Sequence, residues 1–359
     1  MNLRPPVLII AIDSETSRKP ELGRTILNWS SPDNSNLEVA SLIAVLYDPD
    51  DFFGEEELGQ IAKGFPSPIF TERFEERISN VPAMKPITSK VYVADGKRSS
   101  KNLVAGYRKK ALSILKKRGD KNPSEATISA LVTEIMKDDI TRDIVTLADR
   151  VKYTLIIAQN LNFDFTTMIS KKVLDASGWR KVFYVSFDLN AGGYLKSPMM
   201  PGGDFAPLGT WGMFYKDTPT HVKTIYLGDT FTFLTYSLRK VSHFFRLAKY
   251  HVGNLNEEGV YQNRLDSVIQ YNLRDVEILL DEVMHYPDLP YRMIAMNEKT
   301  YKDLRHYTLF STDISRDIYQ SRYVGDKRYA KKFADKIRGR EPGYKLDGYF
   351  EELFAEHGL

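Results

Sequence analysis

The 359-residue chain contains no cysteine. That absence excludes a disulfide scaffold, a cysteine zinc site, an iron–sulfur cluster and a thiol nucleophile. Long apolar runs are missing as well: none reaches the ~18 residues a membrane span requires. The apolar run near the N-terminus, Val7 to Ile12, stops at Asp13-Ser14-Glu15 with no small-residue cleavage site. It predicts a buried strand rather than a signal peptide. The expectation is an intracellular protein, in a cytoplasm-like compartment, with no membrane partner. A strong charge of one sign is also lacking. Lys and Arg number 50 and Asp and Glu 47, a net +3, too mild to argue for any partner. The distribution says more. Lys97 to Lys121 carries ten Lys or Arg against one Asp, and Arg322 to Arg340 carries eight against two. Tyr107, Tyr323 and Tyr329 lie among them. Such stripes suit a polyanion such as nucleic acid, although the solvated face of a basic helix gives the same pattern.

What is present is an ordinary globular composition, 42% hydrophobic and 27% charged, at a length that suits two domains or one large domain with an extension. Apolar, β-branched runs predict strands at 7–12, 37–47, 91–93, 153–158, 181–187 and 222–227. Helical spacing marks 103–118, 124–150 (opened by Ser124), a helix from Asp164 or Phe165 to Ala176, 237–249 and 262–285. Residues 48–89 read as loop, 190–219 as loop with short strands, and 298–359 as mostly helical. The pattern predicts an α/β domain over 1–290, with an insert at about 48–150, and a helical basic extension over 291–359.

Three patterns carry candidate chemistry. Asp13 and Glu15 follow the first strand at i and i+2, so both carboxylates project from one face of a sheet. Like charges that close favour a cation between them, and oxygen ligands favour Mg²⁺ or Mn²⁺; a strand end with acids facing water is the plainer alternative. Asn160-Leu161-Asn162-Phe163-Asp164 follows the strand at 153–158. Asp164 there stands at a strand-to-helix transition, where an N-cap is the alternative. Tyr271-Asn272-Leu273-Arg274-Asp275 lies on a late helix, and Tyr271 and Asp275 share one helical face.

In this order the three patterns resemble the motifs of the DEDDy 3′–5′ exonucleases, and more closely the proofreading domain of family B DNA polymerases. Leu227-Gly228-Asp229-Thr230 and Ser237-Leu238-Arg239-Lys240-Val241 resemble segments of the protein-primed viral and linear-plasmid branch. The resemblance spans residues 7 to about 285. Gln159 stands where that family usually has His, and Gln270 stands where the His-type version would need one, so the Tyr version fits. No polymerase palm motif is present, so no nucleotide incorporation is expected of this chain.

The resemblance implies an RNase H-like fold, a mixed central sheet flanked by helices. It implies a metal-dependent 3′–5′ exonuclease acting on the 3′ end of single-stranded DNA, free-standing or as the proofreading part of a split polymerase whose other subunit carries the palm. Two ions, Mg²⁺ or Mn²⁺, would be held by Asp13, Glu15, Asp164 and Asp275, with Asp164 acting through water. Tyr271 would orient the attacking water. Asn160 and Phe163 would contact the terminal nucleotides. Thr16 and Ser14 would approach the 3′ hydroxyl. Lys249, with His251 as rival, would neutralise phosphate, the alternative being a helix C-terminal Lys facing the dipole. A non-catalytic nucleic-acid-binding or assembly module on the same fold, and an exoribonuclease, are the other readings.

Overall fold

The apolar run at Val7 becomes the centre of a sheet. In the computed structural model, β1 (Val7–Arg18) continues six residues beyond that run, so Asp13 and Glu15 lie inside the strand rather than past its end. It pairs antiparallel with β2 (Ser35–Tyr47) and parallel with β5 (Tyr153–Ala158). The register with β2 shifts between Glu15 and Thr16, a bulge beside the acid pair. The structure describes residues 6–18, 35–48, 86–96, 103–187, 209–230, 238–239, 242, 249–253, 255, 259–285 and 289–306.

The remaining strands are β3 (Thr88–Val93), β4 (Leu103–Val104), β6 (Arg180–Phe187), β7 (Gly209–Asp217) and β8 (Val222–Asp229). They complete one mixed eight-stranded sheet, ordered β4-β3-β2-β1-β5-β8-β7-β6. Residues 86–104, expected within an insert, extend this sheet through β3 and β4. The nine-residue β7 lies at the end of the span where loop with short strands was expected. One of its glycines explains its fit: a Cβ on Gly212 would lie 2.8 Å from the Leu227 side chain of β8.

The strand period of two separates two cores. Leu8, Ile10 and Ile12 face one side, where α1 (Tyr107–Lys117), α2 (Glu125–Ala148) and α3 (Leu161–Met168) bury Ala111, Ile140 and Met168 against them. Val7, Ile9 and Ala11 face the other, against α6 (Leu265–His285) and α7 (Leu289–His306). Ser124 caps α2 as expected, its Oγ accepting the Thr127 N–H at 3.1 Å.

Two expected helices are broken. The helix expected from Asp164 to Ala176 is α3 followed by α4 (Lys171–Ala176). Ile169 is extended between them, and Ser170 bonds instead to Thr141 and Asp138 of α2. The helix expected at 262–285 is a turn, α5 (Val260–Asn263), then α6, parted at Arg264. Helix α7, expected in the extension, packs on the same sheet. The Asn297 amide accepts the Gly212 N–H at 2.8 Å and donates to the Leu227 carbonyl at 2.7 Å. A Cβ on Gly228 would meet Met293 Sδ at 2.5 Å, so α7 lies directly on β8. Residues 307–359, with the stripe from Arg322 to Arg340, lie outside the described residues, as does most of 237–249.

Candidate metal centre

Three segments far apart in the chain converge at one end of β1. Asp13 and Glu15 point to the α6 face, where Asp275 meets them. One carboxylate oxygen from each of these three lies within 4.8 Å of the others. Asp275 is 3% exposed, while Asp13 and Glu15 are half-buried. Asp164, 4% exposed, stands in the first turn of α3. Its Oδ1 accepts the Ser14 N–H at 3.0 Å and the Ser14 hydroxyl at 2.6 Å. Asp164 is therefore not a helix cap; that position belongs to Asn160, in the left-handed region at φ 61°.

The electrostatics are those of a crowded acidic site. Burial raises Asp13 well above the carboxylate range, and the charges of Asp164, Glu15 and Asp275 raise it further, with Lys249 opposing. Burial, then Asp275, pushes Glu15 up to about 8. Asp164 is raised by burial against the two Ser14 hydrogen bonds. Asp275 is raised by burial against Lys249. Each shift says that the charged form lacks counter-charge. Asp275 Oδ1 is buried without a hydrogen-bond partner, an oxygen left for a ligand. Hard carboxylate oxygens, clustered and short of positive charge, fit a divalent cation of the Mg²⁺ or Mn²⁺ type.

Lys249 Nζ sits 2.6 Å from Asp275 Oδ2 and 4.7 Å from the centre of the Tyr271 ring. Although burial opposes its charge, the Asp275 carboxylate holds the ammonium protonated. His251, its rival in the sequence, is exposed. Tyr271 is raised above its ordinary range by burial and by Asp275, so it remains a phenol.

The other expected residues lie around this cluster. Phe163, half-buried, directly precedes Asp164. Asn160 is exposed, and its N–H donates to Asp229 at 3.1 Å. Thr16 follows the bulge, and its carbonyl accepts the Tyr261 hydroxyl at 2.9 Å. Ser14 turns to Asp164, away from the face of Asp13 and Glu15.

Three further residues, each within a quoted motif but given no role there, support the site. Asn272, fully buried, donates its amide to Asp13 Oδ2 and also hydrogen-bonds Glu15. Its spacing from Asp275, i and i+3, was a readable signal. Asp229 accepts the N–H groups of Asn160, Leu161 and Thr210 and so fixes the start of α3. Gln159 Oε1 accepts the Leu238 N–H at 3.0 Å and ties the end of β5 to Leu238. Such long-range partners leave no local pattern.

Across the charged stripe at Lys97 to Lys121, Lys109, Lys110, Lys116 and Lys117 of α1 are exposed. Tyr107 is 2% exposed and belongs to the core, so it does not offer its ring to a base. No helix among the described residues is long and apolar enough to cross a membrane. No protein-family model matches the chain, and no curated protein matches it.

Proposed function

We propose that this chain is a metal-dependent 3′–5′ exonuclease of the DEDDy type, on an RNase H-like fold, acting on single-stranded DNA. The observation that carries the reading is the meeting of Asp13, Glu15 and Asp275 within 4.8 Å, with Asp164 hydrogen-bonded to the residue between the first two. The α/β architecture with a mixed sheet is compatible with it.

In this reading Asp13, Glu15 and Asp275 hold one divalent ion, and Asp13 and Asp164 serve a second. Bound there, the ions supply an acidified water and neutralise charge that builds on the phosphate and the leaving 3′ oxygen. The remaining steps belong to the protein. Tyr271, kept as a phenol, orients the attacking water by hydrogen bonding instead of removing its proton. Lys249 exchanges part of its contact with Asp275 for a phosphate oxygen. Phe163 and Asn160, beside Asp164 on α3, receive the terminal nucleotides, Phe163 through its ring. A polymerase subunit carrying the palm is the partner proposed for a proofreading role.

The test is hydrolysis of 5′-labelled single-stranded DNA and RNA with Mg²⁺, Mn²⁺ or EDTA. A ladder shortening from the 3′ end on DNA, lost in EDTA, supports the reading. Preference for RNA would make the chain an exoribonuclease. Binding of nucleic acid without cleavage in either metal would make it a non-catalytic module.

A further inference from the structure

The residue between Asp13 and Glu15 faces away from both. Strand alternation turns Ser14 to the opposite side of β1, and Asp164 arrives there from α3, 150 residues later in the chain. Both donors of Ser14, the backbone N–H and the hydroxyl, bond the same oxygen, Asp164 Oδ1, at 3.0 and 2.6 Å. Neither bond uses Oδ2. Among the described residues no Lys, Arg or His makes an ion pair with Asp164, which is 4% exposed. Ser14 is itself 8% exposed, so water does not readily replace its hydroxyl.

We propose that Ser14 is a positioning residue for the metal centre: its hydroxyl and N–H lock Asp164 Oδ1 so that Oδ2 is aimed toward the ion site shared with Asp13. This deepens the two-ion exonuclease reading and rests on it for its effect on turnover. Its physical basis is rigidity. Asp13, Ser14 and Glu15 are consecutive in one strand, so the carboxylates on one face and the anchor for the fourth on the other keep a fixed spacing. A partner that orients a ligating carboxylate typically changes metal affinity or activity by about 10- to 100-fold when removed. A serine that merely satisfied a buried carboxylate would instead change stability and leave ion affinity unchanged.

The experiment compares the full chain with Ser14→Ala, Ser14→Thr and Ser14→Val. Mn²⁺ is titrated without nucleic acid, followed by loss of the free-ion electron paramagnetic resonance signal. Turnover and KM on single-stranded DNA are measured in parallel. The expected result is that Ser14→Ala weakens one of two Mn²⁺ sites about tenfold and lowers turnover by about tenfold, with KM for DNA unchanged. Ser14→Thr, which keeps a hydroxyl, restores both. If Ser14→Ala folds poorly, the Thr and Val variants decide, since they match in shape and differ in the donor. Wild-type Mn²⁺ affinity in both Ser14→Ala and Ser14→Val would overturn the proposal, as would a Ser14→Thr variant as weak as Ser14→Val. A wild-type chain that cleaves nothing, with Mn²⁺ binding still weakened by Ser14→Ala, would sink the nuclease reading and leave the role of Ser14 standing. A wild-type chain that binds no Mn²⁺ would overturn both.

Discussion

Lys249 Nζ lies 2.6 Å from Asp275 Oδ2, and the two residues are 26 apart in the chain. Among the described residues it is the one cation paired with any of Asp13, Glu15, Asp164 and Asp275. Its charge also opposes the upward shifts of Asp13 and Glu15, so three carboxylates share one ammonium. Lys249→Met removes that counter-charge and leaves a buried carboxylate unpaired. The variant is expected to lose about 1–3 kcal/mol of stability in EDTA, with a much smaller loss in saturating Mn²⁺. Thermal unfolding in the two conditions checks this. Equal losses with and without the ion would contradict a shared counter-charge.

The raised acids set a pH dependence whose sign can be worked out. Glu15 moves from an ordinary 4.5 to about 8 on folding, and Asp13, Asp164 and Asp275 shift in the same direction. Between the two values the folded chain binds more protons than the unfolded chain. Stability is then fully present below about pH 4.5 and falls as pH rises toward about 8. In EDTA the melting temperature is therefore expected to drop across that window. A divalent ion at about 100 times its Kd restores about 2.7 kcal/mol, roughly 3–4 °C for a chain of this size, and at one fixed ion concentration the gain is larger at pH 8 than at pH 5. Calorimetry at both pH values, with Mn²⁺ and with EDTA, measures this. Stability that rises with pH in EDTA would refute the assignment.

Tyr271→Phe keeps the ring over Lys249 and removes the hydroxyl. Turnover is expected to fall by about 10- to 100-fold, within the usual range for removing one group that orients a reactant, while Mn²⁺ affinity stays unchanged. A variant as poor in metal binding as Asp13→Ala is expected to be would show that the phenol ligates an ion instead of orienting water.

The acid site was legible in part. Strand alternation placed Asp13 and Glu15 on one face, and helix spacing placed Tyr271 and Asp275 on one face of a late helix; only the family resemblance implied that the two faces meet, as they do within 4.8 Å for the three acids. The two spacings are local periodicities, and a sequence displays them directly. Partners such as Ser14 with Asp164, or Asp229 with the start of α3, are joined by the tertiary fold alone, and no spacing announces them. Around β7 only short strands within loop were legible, because Gly209 and Gly212 read as turn residues, whereas Gly212 is needed for close approach to Leu227. Residues 48–150 read as an insert because the resemblance left a long spacing between its first two motifs. Within that span β3 pairs with β2, and α1 and α2 contribute to the core.

A nucleic-acid path along the exposed lysines of α1 is a proposal that charge reversal tests against a face that meets a protein partner. Charge reversal at Lys109 and Lys110 is expected to weaken single-stranded DNA binding and to flatten its salt dependence, by about 0.7 in the logarithmic slope for each phosphate no longer neutralised. The same change at Lys331 and Lys332 tests the second stripe. Unchanged affinity and slope in both would assign the stripes to a protein partner.

The most direct test of the proposed metal-dependent exonuclease activity is single-turnover cleavage of 5′-labelled single-stranded DNA by the wild-type chain, Asp13→Ala and Asp275→Ala, in Mn²⁺ and in EDTA. The expected result is stepwise shortening from the 3′ end by the wild type in Mn²⁺ and none in EDTA. Either variant should be slower by at least about 10³-fold, comparable to removing other single charge-stabilising groups from an active site, with both variants still folded by circular dichroism. Full activity in Asp13→Ala, or cleavage that persists in EDTA, would contradict a metal-dependent nuclease centred on these acids.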